Sequence, residues 1–149
     1  MAVLDVVVTK LEALVPSLTS HVPFRRSTEV LKVEDLPAKA CFRRFNVDGI
    51  EGRDLSQEQD GGVENVGMAD RTARFRIRVA YPLGRREKDL DKLIPSDAEI
   101  AMRGLARSAD WTGTPISSAR VRWSIDRTSS QDKWFLELQV ELNYRDVEA

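Results

Sequence analysis

Trp134-Phe135-Leu136-Glu137-Leu138-Gln139-Val140-Glu141-Leu142-Asn143-Tyr144 decides the fold class of this chain. Trp134, Leu136, Leu138, Val140, Leu142 and Tyr144 are apolar, and Glu137, Gln139, Glu141 and Asn143 stand between them. Successive side chains leave a pleated strand on opposite faces, so this spacing predicts a long strand with one dry and one wet face. Just upstream, Val121, Trp123 and Ile125 alternate with Arg120, Arg122 and Ser124, a second strand. The polar stretch from Asp126 to Lys133 then makes the two a hairpin. Further upstream, Ala73, Phe75, Ile77, Val79 and Tyr81 oppose Thr72, Arg74, Arg76 and Arg78, predicting a strand over 72–81 that Pro82-Leu83-Gly84 breaks.

Helical spacing appears in two places. Leu4, Val7, Val8, Leu11, Leu14 and Val15 recur every three or four residues and predict a helix over 3–15, closed by Pro16. Ser96-Asp97-Ala98-Glu99 has the form of a capping box behind Pro95, predicting a helix from Ser96 to about Ala109 that buries Ile100, Leu105 and Ala109. The charged stretch Arg85–Lys92 falls outside that helix. Residues 22–33 read as a short strand or two, and residues 38–47, after Asp35-Leu36-Pro37, as a strand of imperfect alternation. Residues 48–71 carry five glycines and no period, a long loop of the kind that is usually functional. The fold class expected is α+β: a mostly antiparallel or mixed sheet in one domain over 1–149, with helices packed on one face.

Composition narrows the function classes. The chain has 149 residues, 42% hydrophobic and 32% charged, as a globular protein does. Its apolar clusters are far too short for a membrane span. Its first residues lack the basic segment and apolar core of a secretory leader. One cysteine, Cys41, excludes an intrachain disulfide. A net charge of -1 argues against a general nucleic-acid binder. The distribution is uneven, however. Residues 48–70 hold Asp48, Glu51, Asp54, Glu58, Asp60, Glu64 and Asp70 against Arg53 alone, and leave the rest of the chain basic. Of 23 basic residues, 17 are arginine.

Catalytic constellations are not apparent. His21, the single histidine, has no cysteine or carboxylate at metal spacing. Cys41 sits among apolar and arginine neighbours and reads as a buried small hydrophobe. Gly61-Gly62-Val63-Glu64 lacks the lysine and the strand-to-helix setting of a phosphate loop. Asp89, Asp91 and Asp97 stand amid Arg85, Arg86, Lys88 and Lys92, as on a salted surface. The chain is therefore expected not to be an enzyme, and to use neither metal nor cofactor.

The arginine stripes are the anomaly. Arg74, Arg76 and Arg78 share one strand face, and Arg120 and Arg122 share another. One reading is a cross-strand ladder with Glu137 and Glu141 on an exposed sheet face, of small net energy per pair. A second is a subunit or partner interface in which arginine meets acids of another chain, with Asp54, Glu58, Asp60 and Glu64 as candidate acids. A third is contact with DNA phosphate.

The arrangement of these elements resembles the tail terminator (tail completion) family of long-tailed phages, among the head–tail joining proteins. The likeness rests on the opening helix at 3–15, the Leu36-Pro37-Ala38 entry to a strand, and the strand Phe75-Arg76-Ile77-Arg78-Val79. The helix after Pro95 and the closing Val140-Glu141-Leu142-Asn143-Tyr144-Arg145 complete it. The resemblance implies a structural virion protein assembled in the host cytoplasm, a homo-oligomeric ring of six copies. Such a ring caps the tail tube, meets the head–tail connector, and lets DNA pass through its lumen. It implies no catalysis, no cofactor and no membrane. Ring closure needs two different complementary patches per subunit, which an acidic segment and a basic sheet face could supply. Reversal of Arg76 and Arg78 to Glu is then expected to block assembly and leave the monomer folded. The alternatives are a connector-side neck adaptor of the same virion region, or a small non-catalytic ligand-binding module.

Overall fold

A computed structural model describes residues 3–14, 22–27, 32–51, 68–84, 87–106, 111, 113 and 116–147. Their order is α1 (Val3–Glu12), β1 (Arg25–Arg26), two single 3-10 turns at Val33–Asp35 and Ala38–Ala40, β2 (Arg44–Glu51), β3 (Met68–Pro82), α2 (Glu87–Ala106), β4 (Ile116–Asp126) and β5 (Lys133–Val147). The five strands form one sheet in the order β1-β2-β3-β5-β4. β1 runs parallel to β2, and the other neighbours are antiparallel, so the fold is α+β with a mixed sheet.

The stretch around Trp134 becomes β5, between β3 and β4. Its pairing with β3 is unbroken from Met68↔Val147 to Pro82↔Lys133. That register aligns the two period-two patterns. Phe75, Ile77 and Val79 stand opposite Val140, Leu138 and Leu136 on one face, and all six are buried. Helix α1 adds Val7, Val8 and Leu11 to the same core, and α2 adds Leu90, Leu93, Ile94, Ala98, Ala101 and Leu105. Fully burying a side chain of this size contributes roughly 1.5–3 kcal/mol, so this one layer dominates the stability. The segment just after α1 packs closely on α2 at Gly104, where an added Cβ would lie 2.6 Å from Leu14 Cδ2. Trp111 seals the end of α2 by donating its indole N–H to the Leu105 carbonyl at 2.9 Å.

The opposite face is not all wet. Near the Pro82 end of β3, the two 3-10 turns lay Val33 and Cys41 over Ala80 and Phe135, making a second small core with Leu36 at its side. The alternation of β3 and β5 does not announce this cover, because Ala80 and Phe135 occupy the polar phase of their strands.

Five expectations are corrected. The second helix begins at Glu87, not Ser96, and passes through Pro95 to Ala106. Proline removes one helical hydrogen bond and crowds the preceding turn. Apolar residues on both sides of it, Leu90 to Ile94 and Ala98 to Leu105, hold the two halves to the core. Ser96 is therefore inside the helix and not its cap. The strand expected over 38–47 starts only at Arg44; Ala38–Ala40 form a 3-10 turn, and Arg43 adopts φ 56 at the corner. The loop expected over 48–71 gives up both ends, 48–51 to β2 and 68–71 to β3, and residues 52–67 lie outside the described residues. The first helix ends at Glu12 rather than 15. Among the described residues of 22–33, Arg25 and Arg26 are strand and Val33 opens a 3-10 turn; residues 28–31 lie outside the described residues.

Candidate functional site

Placing β3, β5 and β4 side by side assembles the arginines into one field. On the face turned away from the helices, Arg74, Glu141 and Arg120 stand in one row, and Arg76, Gln139 and Arg122 in the next. The third row is Arg78, Glu137 and Ser124. The first two rows line an open groove of about 590 Å³. A second open groove of about 690 Å³ lies beyond Arg76, lined by Glu34, Asp35, Asn46 and Asp48 among others.

The five arginines differ sharply in what holds them. Arg78 is drawn into the structure, its side chain 12% exposed. It donates to Glu34 and to Asp126, the latter at 2.5 Å, and its Nε lies 3.2 Å from Glu137. That last contact is out of line for a hydrogen bond, since Nε has no bonded partner, and its attraction is purely electrostatic. The guanidinium also stacks 4.0 Å from the Phe135 ring centroid, adding a cation–π term. Around the Asp126 carboxyl, burial alone would raise the pKa. Hydrogen bonds from Ser129, Thr128 and Arg78 outweigh it and hold that carboxyl well below the ordinary carboxylate range.

Arg76 makes a two-point contact with Asp48 on β2, at 2.9 and 3.2 Å, and Arg74 reaches Glu141 at 3.2 Å. These side chains are about half exposed, so each pair contributes about 0–1 kcal/mol. Arg120 and Arg122 are exposed, and their side chains make no ion pair or hydrogen bond with any described residue, although Arg120 stands opposite Glu141. The ladder reading therefore accounts for Arg74 with Glu141 and Arg78 with Glu137. Asp48 supplies the partner for Arg76. None of these accounts for β4. Asp54, Glu58, Asp60 and Glu64, the acids expected at an interface, lie outside the described residues.

Arg78 cannot be reversed harmlessly, contrary to the sequence expectation. Glutamate there would add a fourth carboxylate to Glu34, Asp126 and Glu137, and unfolding would be confounded with failed assembly. Arg122, opposite Gln139, is the arginine whose charge can be reversed with least effect on the chain's own contacts, whereas Glu at 120 would face Glu141.

β4 is an edge strand among the described strands. Its helix-side residues Val121 and Ile125 are half-buried, and Trp123 is 37% exposed, one of two large hydrophobics exposed among the described residues. The sequence places Trp123 in the dry phase of β4; only the strand's position at the sheet edge explains its exposure.

A second constellation escaped sequence reasoning altogether. Arg43, Asp97 and Tyr81 are completely buried. Arg43 donates from Nε and Nη2 to the two carboxylate oxygens of Asp97, both at 2.8 Å, and from Nη1 to the Val22 carbonyl at 2.9 Å. The Tyr81 hydroxyl donates to Asp97 Oδ2 at 2.6 Å. Burial first, and the adjacent Asp97 charge second, push the Tyr81 hydroxyl well above its ordinary pKa, so it remains a donor. The cluster ties α2 to β3 and to the corner before β2. It is a closed, satisfied network with no approach shown to a substrate, and it acts as a structural lock. The nearest sequence signal is an aspartate on the apolar stripe of a helix, visible only once the helix is started at Glu87.

Cys41 is buried, donates its thiol to the Ala38 carbonyl at 3.3 Å, and is pushed up in pKa chiefly by burial, the opposite of a thiol nucleophile. Asp91 pairs with Arg127 at 3.2 Å, and His21 lies outside the described residues. Among the described residues no group of three or more His, Cys, Asp or Glu side chains is placed to hold a metal ion, and no helix is long and apolar enough to cross a membrane. No protein-family model matches the chain, and no curated protein matches it.

Proposed function

We propose that this protein is a structural virion subunit, a ring-forming tail terminator that caps the tail tube and presents a surface to the head connector, with DNA passing through the ring. The observation that carries the reading is the pair Arg120 and Arg122. Two like charges stand on an exposed edge strand in no ion pair with a described residue, the one acid opposite them, Glu141, being taken up by Arg74, on a chain whose net charge is nonetheless -1. Such a surface is at ease when another chain supplies the acids, and arginine's planar fork suits bidentate contact with carboxylates. The uneven charge along the sequence gives each copy both a basic patch and an acidic stretch, as a head-to-tail ring requires. The open grooves on this face are lined mainly by charged and polar side chains, which favours a macromolecular contact over a small apolar ligand.

The test is the mass of the native particle in solution, together with electron microscopy alone and in the presence of tail tubes. A closed ring of about six chain masses that binds tube ends is expected. A persistent monomer at every concentration would overturn the reading. A ring that binds a head connector and ignores tail tubes would reassign it to the connector-side adaptor.

A further inference from the structure

We infer that the corner beside β1 is a binding site for a small organic phosphate, held by Arg25, Lys39 and Arg44. The inference stands apart from the ring reading and uses neither β4 nor the acidic stretch. An open pocket of about 330 Å³ lies at this corner, lined by Val22, Pro23, Arg25, Lys39, Phe42 and Arg44 among others. Three cations thus meet an aliphatic and aromatic wall, and no acid stands among the described residues that line it.

The sheet register makes the charge arrangement unusual. Arg25 and Arg44 are direct partners in the parallel pairing of β1 with β2, so both side chains leave the same face side by side. Like charges so placed across strands repel. Lys39, exposed on the 3-10 turn Ala38–Ala40, brings a third positive charge to the same pocket. None of these three side chains makes an ion pair or hydrogen bond with any described residue. Arg74, Arg76 and Arg78, by contrast, each have a carboxylate. An anion seated between Arg25, Lys39 and Arg44 would turn their repulsion into attraction.

The apolar wall is held from behind. Buried Arg43 donates to the Val22 carbonyl at 2.9 Å, and its guanidinium lies 5.0 Å from the Phe42 ring centroid. Phe42 in turn meets the Tyr81 ring edge-on, with centroids 5.9 Å apart. The cluster of Arg43, Asp97 and Tyr81 therefore fixes Val22 and Phe42 before any ligand arrives, and a wall already in place lowers the ordering cost of binding. Val22 is one of the two large hydrophobics exposed among the described residues.

These features select the ligand. Arginine's planar fork matches phosphate oxygens two at a time, and lysine adds a point charge. Three positive charges suit the dianion of a phosphate monoester better than the single charge of a carboxylate or a phosphodiester. They gather at one small pocket and not along a track, which favours a terminal phosphate over a nucleic-acid backbone. The apolar wall gives the organic part of the ligand a surface to rest on.

Titration calorimetry of the full chain with phenyl phosphate, inorganic phosphate and phenol tests this, with circular dichroism to confirm folding. Phenyl phosphate is expected to saturate a single site, about tenfold tighter than inorganic phosphate, and phenol is expected not to bind. Arg44→Gln and Lys39→Gln are each expected to weaken phenyl phosphate by about tenfold or more. Arg103→Gln, on α2 beside Glu99, is expected to keep the natural affinity. Phenyl phosphate should also raise the urea midpoint of the natural chain and leave that of Arg44→Gln unmoved, because only a chain that binds is stabilised. Absence of saturable phenyl phosphate binding, undiminished binding by folded Arg44→Gln and Lys39→Gln, or equal binding of phenol overturns the inference. Tighter binding of an oligothymidylate or of a hexaglutamate peptide would also overturn it, and would give the pocket to a nucleic-acid strand or to an acidic protein segment. Rings that cap tubes in a chain that binds no phosphate would leave the ring reading intact. Phosphate binding by a persistent monomer would do the reverse.

Discussion

Arg78 and Arg122 project from the same face of the same sheet, two strands apart, and live under opposite rules. Arg78 is gripped by Glu34, Asp126 and Glu137, stacked on Phe135, and almost removed from water. Arg122 touches no acid that the structure describes. The difference comes from what covers each end. The 3-10 turns over Phe135 create a half-dry niche at one end, where an unpaired charge would be costly and three carboxylates collect. No described strand covers the β4 edge, where Arg122 is exposed and a lone arginine costs little. An arginine's role on this face thus follows from its neighbours' cover and not from its place in the stripe.

The comparison can be broken in steps of decreasing size. Asp97→Ala extends it inward, to the fully buried Arg43. Leaving that guanidinium without its carboxylate is expected to cost about 3–5 kcal/mol in urea unfolding. The pairing of Arg43→Met with Asp97→Leu should cost markedly less, because no charge is left stranded. Equal losses in the single and double variants would show that packing, and not charge, holds that site.

Arg78→Leu comes next. It strands three carboxylates around one niche and forfeits the charged hydrogen bonds, a loss of about 2–3 kcal/mol at neutral pH. The same niche predicts an acid response. The Asp126 carboxyl has its folded pKa below its unfolded one, so the unfolded chain binds the proton first as pH falls. The associated stability is fully present above the ordinary carboxylate range and drains away as pH drops through and below it. Urea midpoints measured from neutral pH into that range should therefore fall less steeply for Arg78→Leu than for the natural chain. Parallel slopes would show that Arg78 does not set this titration.

At the small end, Asp48→Asn breaks the half-exposed contact with Arg76 and is expected to change stability by less than about 1 kcal/mol. Arg120→Ala/Arg122→Ala should stay within about 0.5 kcal/mol of the natural chain. A large loss there would mean that the chain itself already uses β4, and would erase the contrast.

Much of the fold was written in side-chain period. The alternation from Trp134 to Tyr144 and from Ala73 to Tyr81 survives residue by residue as the paired dry faces of β5 and β3. The start of α2 was hidden by a local signal that outweighed a longer one. Pro95 with Ser96 and Glu99 imitates a helix beginning, whereas Leu90, Leu93, Ile94, Ala98, Ala101 and Leu105 keep helical spacing straight through it. Of the candidate site, the arginine stripes were legible because they lie on regular strands. Their sorting into held and unheld was not. Glu34 reaches Arg78 from 44 residues away, and Asp97 reaches Arg43 from 54. Periodicity carries no record of contacts across such distances.

The position of β5 has one more consequence. It is the last described strand in the sequence, yet it stands between β3 and β4 and supplies the ladders on both sides. During synthesis β3, α2 and β4 emerge with the space between the two strands unfilled. A nascent chain therefore carries two unsatisfied strand edges and the uncovered half of its main core until translation passes about residue 147. Sheet completion is a late, long-range event, of the kind that slows folding and exposes intermediates to aggregation. Ribosome-bound chains stopped before Lys133 should be chaperone-dependent, and release of β5 should be the step that ends that dependence.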